Sequence, residues 1–261
     1  VGVRAVRTDD DDHHVDLGRQ ELHRVLAVLR RIADVVPLRA DDLREAAGDF
    51  GGKMVAGMMK GEAGGPPPMW TIYYAAGDID ATAAAMTADG ATSIVPPTDI
   101  PGTGRFSLLA DPQGAVFGLL QPLPMENDSS AGGAFNQQKT GHGNWHELMT
   151  KDAKAALAFY GKHLGWTPSR AMEMGPGMTY HIFARGGVDI GGMMDIRPDM
   201  PGPGVPFWLP YFGADGIDAA IAKIAGTGGK VMHGPQEVPG GAFIAVAADP
   251  QGAAFAVTGP K

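Results

Sequence analysis

The sequence predicts an α+β fold built from tandem copies of a βαβββ module. Three observations carry that prediction: a repeat the length of a small domain, strand–helix–strand patterning inside it, and a duplicated Asp-Pro-Gln-Gly turn. Residues 70–120 and 208–258 align at a constant offset of 138 without a gap. Trp70 matches Trp208, Tyr73 matches Tyr211, and Ile79-Asp80-Ala81 matches Ile217-Asp218-Ala219. The six residues Ala110–Ala115 recur unchanged as Ala248–Ala253. Gly57-Met58-Met59 matches Gly192-Met193-Met194 at an offset of 135, which carries the repeat upstream across a small loop difference. A period this long exceeds any solenoid repeat and marks a duplicated domain.

Each element follows from local signals. Residues 70–122 read as strand, a helix capped by Asp78, then three strands. Gln121–Gly143 lacks periodicity and carries Pro122, Pro124, Asn127 to Ser130 and Gly132-Gly133, so 123–140 reads as a linker. Asn144–Thr150 alternates as a strand, and Asp152 opens a helix with Ala156, Tyr160 and Leu164 on one face. Lys162 and His163 suit its negative end, and Gly165 suits its cap. Strands are expected around Thr167–Met174, Thr179–Ala184 and Val188–Asp195. The last unit repeats the order: a strand over Phe207–Gly213, then a helix capped by Asp215 with Ile217, Ile221 and Ile224 inward. Strands follow near 230–233, 242–248 and 253–258. Asp111-Pro-Gln-Gly114 and Asp249-Pro-Gln-Gly252 place Asp, Pro and Gly where a type I turn wants them, a structural role.

Composition narrows the function classes. The chain has 261 residues, 44% of them hydrophobic, which fits two domains with modest cores. A net charge of −8 without basic clusters argues against a nucleic-acid partner. No apolar run reaches a membrane span, and no leader pattern opens the sequence. The absence of Cys removes disulfides and thiol chemistry, and a cytoplasmic location is expected. Oligomeric state is not legible.

The run Trp145-His-Glu-Leu-Met-Thr150, with Ala158-Phe-Tyr160, Leu164-Gly-Trp166 and the two Asp-Pro-Gln-Gly turns, resembles the vicinal oxygen chelate superfamily. This family comprises glyoxalase, bleomycin-resistance and extradiol dioxygenase proteins, and the resemblance covers residues 51–261. It implies modules that pair into open, incomplete β-barrels around a small-molecule cleft, with four modules in two domains. It also implies a divalent metal held by His and Glu on the first and last strands of each module. Carried onto this sequence, those positions fall on Trp145, Leu209, Ala256 and Gly118, near Gly191-Gly192, and on Thr71. None suits a divalent transition metal, so no cofactor is predicted, and a divalent metal stays open only without the usual ligands.

The candidate site residues follow from strand alternation. Trp145, Glu147 and Met149 share one face, while Asn144, His146 and Leu148 share the other. His146 and Glu147 therefore cannot chelate one ion together. On the inward face implied by the resemblance, Glu147 is the candidate catalytic residue, its pKa raised by desolvation. The competing reading makes it a hydrogen-bonded structural Glu. Trp145, Trp208 and Tyr211 are candidate ligand-binding rings, as are Trp70 and Tyr73 at the matching positions of the first half. Core packing is the expected role for at least one of Trp208 and Tyr211.

Residues 1–50 break the pattern, and the first module is aberrant. They contain eight Arg and no Lys, and 40 of the 50 are Ala, Asp, Arg, Val, Leu or Gly. Those residue types dominate when GC-rich DNA is translated out of frame, so a frameshifted or misassigned segment is expected. The alternative is a helical extension, with Leu22, Val25, Leu26, Leu29, Ala33 and Val36 as its apolar stripe. The domain plan is thus 1–50 anomalous, 51–122 the remainder of a first domain, and 141–261 a second.

Two functional classes fit. One is a small-molecule-binding protein that uses aromatic walls and no metal. The other is an enzyme of the lyase, isomerase or dioxygenase type, like lactoylglutathione lyase, with Glu147 as acid or base. The sequence does not decide whether the protein is an enzyme.

Overall fold

A computed structural model of the chain describes residues 47–50, 53–57, 65–101, 103–123, 134–200 and 202–261. Two short strands come first, β1 (Ala47–Phe50) and β2 (Lys53–Gly57). Next is a unit of β3 (Tyr73–Ala75), α1 (Ile79–Ala88), β4 (Thr92–Ile100), β5 (Gly104–Ala110) and β6 (Val116–Pro122). A second unit holds β7 (Gly143–Thr150), α2 (Ala153–Leu164), β8 (Thr167–Gly175), β9 (Met178–Arg185) and β10 (Val188–Asp195). The last comprises β11 (Phe207–Gly213), α3 (Ile217–Gly226), β12 (Lys230–Glu237), β13 (Phe243–Ala248) and β14 (Ala254–Gly259). Among the described residues three complete βαβββ modules are present, in the order the repeat predicts.

The two last modules merge into one open sheet of eight strands, in the order β12-β13-β14-β11-β7-β10-β9-β8. Its midline is the antiparallel pair β7–β11, where Glu147 faces Leu209 and Trp145 faces Tyr211 across the ladder. Each first strand runs parallel to the last strand of its own module, β7 with β10 and β11 with β14. The earlier module makes a separate four-stranded sheet, β3-β6-β5-β4.

Local signals account for the helices. Asp78 and Asp152 accept hydrogen bonds from the amides of Ala81 and Ala155, and Gly165 closes α2 in the left-handed region at φ 69°. At α3 the expectation fails. Gly216, which has no side chain to cap with, is the N-cap, and the Asp215 carboxylate accepts from the Thr140 hydroxyl instead. Ile217 is buried, and Ile221 and Ile224 pack inward beside it. Two strands also differ in extent. The last module's second strand runs to Glu237, and β3 begins at Tyr73, leaving Trp70 outside it.

The β1–β2 hairpin corrects the boundary drawn by composition. Its pairs Ala47↔Gly57, Gly48↔Ala56, Asp49↔Met54 and Phe50↔Lys53 reproduce, at the repeat offset of 135, those of β9–β10. Even the register shift falls in the corresponding place. Module-like chain therefore begins no later than Ala47, inside the segment set apart as anomalous. The frameshift and helical-stripe expectations for residues further upstream lie outside the described residues.

One core spans the halves. Ile72, Tyr74, Phe117 and Leu119 of the first unit pack with Leu148, Tyr160, Trp166, Phe183 and Trp208 of the later two. Trp166 stacks between Tyr160 and Phe183 with centroids 5.0 and 4.5 Å apart. Each such ring contributes on the order of 1.5–3 kcal/mol by burial. Hence the helix-bearing face of β7 is turned to the first half, and the opposite face, here the inner face, carries Trp145 and Glu147.

Candidate functional site

Strand alternation divides β7 and β11 between these two faces. The inner face carries a cluster of Leu209, Tyr211 and Ala256, with Trp145, Phe207, Ile244, Val246 and Ala254 packed against it. Glu147 sits in this face beside Trp145. Its carboxylate is held by two phenols: Tyr180 Oη and Tyr211 Oη each donate to Oε2 at 3.1 Å. Trp145 Nε1 donates in turn to Tyr180 Oη at 2.8 Å. Both hydroxyls converge on Oε2, and among the described residues no hydrogen bond engages Oε1.

Burial sets the electrostatics. Desolvation raises the Glu147 carboxyl above its ordinary value, against the lowering effect of the Tyr180 and Tyr211 hydrogen bonds. Desolvation, followed by the Glu147 charge, pushes both phenols well above 10, so they stay protonated and act as donors. His146, the next residue, points to the other face, edge-on to Tyr74 at 5.5 Å. Burial lowers its pKa to about 4, which keeps the imidazole neutral.

Glycines make the arrangement sterically possible. Gly192 lies beside Glu147 in the parallel ladder, and a Cβ there would sit 2.1 Å from Cζ of Tyr180. The Tyr180 ring thus lies over Gly192 and reaches across β10 to the carboxylate. On the opposite face, a Cβ at Gly191 would meet Phe183 Cζ at 2.3 Å. The Gly-Gly pair lets one aromatic ring close down on each side of the strand.

Of the residues singled out from sequence, Trp145, Glu147 and Tyr211 come together. The other three do not. Trp208 is turned to the opposite face, where its Nε1 donates to Tyr160 Oη at 3.1 Å inside the shared core. It lies three residues from Tyr211, and an odd spacing on a strand reverses the face. Trp70 packs edge-on to Phe212 at 5.2 Å, so it joins the halves and does not line the Glu147 face. Tyr73 is 43% exposed, its ring lying over Gly118 in the other sheet. Tyr180 was not anticipated; the available signal was the Gly191-Gly192 pair, which demands a large side chain from a neighbouring strand.

The profile of the Glyoxalase/Bleomycin resistance protein/Dioxygenase superfamily matches residues 142–257. CFP32 of Mycobacterium tuberculosis, which is named as a glyoxylase, is 38% identical over 207 residues, covering 79% of this chain and 75% of that protein. The chain belongs to the glyoxalase/bleomycin resistance/dioxygenase superfamily. The anthracycline biosynthesis protein DnrV of Streptomyces peucetius is 31% identical over 194 residues, 74% of this chain and 66% of that protein. In fold, the chain resembles 2,2',3-trihydroxybiphenyl 1,2-dioxygenase of Sphingomonas wittichii strain RW1, with a TM-score of 0.52 and 14% identity. That likeness covers 74% of this chain and 71% of the dioxygenase.

The superfamily's metal positions here offer Trp145, Leu209, Gly192 and Ala256 around Glu147. Among the described residues, no three His, Cys, Asp or Glu side chains converge as a metal-holding group. This donor set does not fit a divalent ion, because one carboxylate with hydrophobic neighbours leaves its coordination unfilled. Among the same residues, no helix is long and apolar enough to cross a membrane.

Proposed function

We propose that residues 141–261 bind a small organic molecule on the inner face of the eight-stranded sheet. The observation that carries this is the Glu147 carboxylate: desolvated, fixed through Oε2 by Tyr180 and Tyr211, and walled by aromatic and aliphatic side chains, with Oε1 left for a ligand donor. A largely apolar wall with one fixed polar group is the usual anatomy of a small-molecule site. The bound molecule gains orientation from Glu147 and affinity from the walls, and the reading needs no metal.

One observation favours a second reading, an acid/base enzyme. A carboxyl whose proton is held more firmly by desolvation is better suited to act as a general acid than an ordinary one. The names of the relatives supply probes for both: an anthracycline for binding, and the hemithioacetal of methylglyoxal and glutathione for turnover. The expected result is saturable quenching of tryptophan fluorescence by the anthracycline, weakened in Glu147→Gln, and no thioester formed from the hemithioacetal. Turnover that is lost in Glu147→Gln would instead assign the acid/base role.

A further inference from the structure

Among the described residues, the groups that act on the Glu147 carboxyl carry no positive charge. Among the described residues no Lys, Arg or His lies within ion-pair distance, and the groups acting on it are two neutral phenols. Arg170, on β8 of the same module, is paired with Asp189 at 2.8 Å. His146 is neutral and faces away. A carboxylate withdrawn from water without a cation is costly, and proteins ordinarily pair it. Here two hydroxyls serve Oε2, and among the described residues none serves Oε1.

The surroundings match that gap. The Tyr180 and Tyr211 rings begin one hydroxyl away from Oε2, and the Trp145 indole is bonded to the first of them. Electron-rich rings beside an anion favour a cation over an anion or a neutral group. Beyond them, the wall from the last module is apolar and mostly aliphatic: Leu209, Ile244, Val246, Ala254 and Ala256, with Phe207 beside them. The two sides thus ask for different ends of one molecule.

We propose that the ligand is an organic monocation, a protonated amine or amidine on an apolar body. Its N–H group donates to Oε1 of Glu147, and its body lies against the Leu209–Ala256 wall. The inference rests on the small-molecule reading above and adds the ligand's charge.

A matched set tests it on the full chain: naphthylmethylammonium, naphthylmethanol and naphthoate, by calorimetry and thermal shift at neutral pH. The ammonium is expected to bind at least about tenfold tighter than the alcohol, a difference of roughly 1.4 kcal/mol. Naphthoate is expected to bind weakest, and Glu147→Gln should bring ammonium and alcohol to within about twofold of each other. Equal binding of alcohol and ammonium, both weakened by Glu147→Gln, would overturn the cation and leave the pocket standing. Cation preference that persists in Glu147→Gln would also overturn it. Binding of none of the three would sink both readings. Should Glu147→Gln fail to fold, Tyr211→Phe keeps the carboxylate and must keep the preference for the ammonium; loss of that preference overturns the proposal.

Discussion

The hexapeptide Ala-Asp-Pro-Gln-Gly-Ala occurs twice, unchanged in sequence and unlike in surroundings. Both copies make the same turn. The glycine amide of each bonds to the Asp carbonyl at 2.9 Å, and each Asp carboxylate accepts backbone amides across the turn. There the likeness ends. Asp111 is buried and also accepts the Tyr160 hydroxyl at 3.0 Å, which itself accepts from Trp208. Gln113 exchanges two hydrogen bonds with the backbone of Asp152, at 2.7 and 2.8 Å. Asp249 is half-buried, and its hydrogen bonds are to its own turn. Local sequence dictates the turn; the partner decides what the turn does.

Other copied residues repeat the lesson. Trp208 anchors the shared core through its indole N–H, while the buried indole N–H of Trp70 finds no acceptor among the described residues. Tyr211 steadies Glu147, while Tyr73 is largely exposed. Duplication preserved the backbone plan and let the side chains take new partners.

The largest effect that separates the two turns is expected from Asp111→Ala. It strips acceptors from three amides and a buried phenol, at a cost of about 3 kcal/mol or more in denaturant melts, against about 1 kcal/mol for Asp249→Ala. Equal costs would mean the Tyr160 link adds nothing. Gly192→Ala should follow, at roughly 1–3 kcal/mol, because the Tyr180 ring occupies the added methyl's place. Ala256 holds the matching site beside Tyr211 in the next module, and Ala256→Gly there should cost about 1 kcal/mol or less. Tyr160→Phe should cost about 1–2 kcal/mol, and a double-mutant cycle with Asp111→Asn should show most of it shared.

Glu147 sharpens the comparison through pH. Its folded-state pKa is raised, so its protonated form favours the fold. Stability from this group is full below the unfolded carboxylate value and is lost as pH rises through the folded one. Glu147→Gln is therefore expected to melt higher than the parent at pH 7, with the gap closing in acid. A gap that widens in acid would show the sign to be wrong. The smallest effect belongs to α3: Gly216→Asp should add the missing cap and gain a few tenths of a kcal/mol in thermal melts.

What was legible in the sequence depended on how far apart the cooperating residues lie. The caps Asp78, Asp152 and Gly165 act within a few residues, and each was readable. Asp215 looked equally good and failed because Thr140, from the stretch read as a linker, claims its carboxylate. The faces of β7 were readable from alternation, and the resemblance marked the one with Glu147 and Trp145 as inward. Tyr180 was not, since its approach to Glu147 depends on the register of β9 against β10, shifted between Asp189 and Gly191. Composition drew a boundary at residue 50, whereas hydrogen-bonded pairing runs through it. No local pattern could announce that Asp111 would meet Tyr160.

The shared core has a consequence for how the molecule comes apart. Tyr74, Phe117, Tyr160, Trp166 and Trp208 come from both halves but form one packed cluster, so neither half can melt without stripping the other's aromatic rings. Heating should therefore produce a single calorimetric transition whose van't Hoff and calorimetric enthalpies agree, although the repeat marks the chain as a duplication.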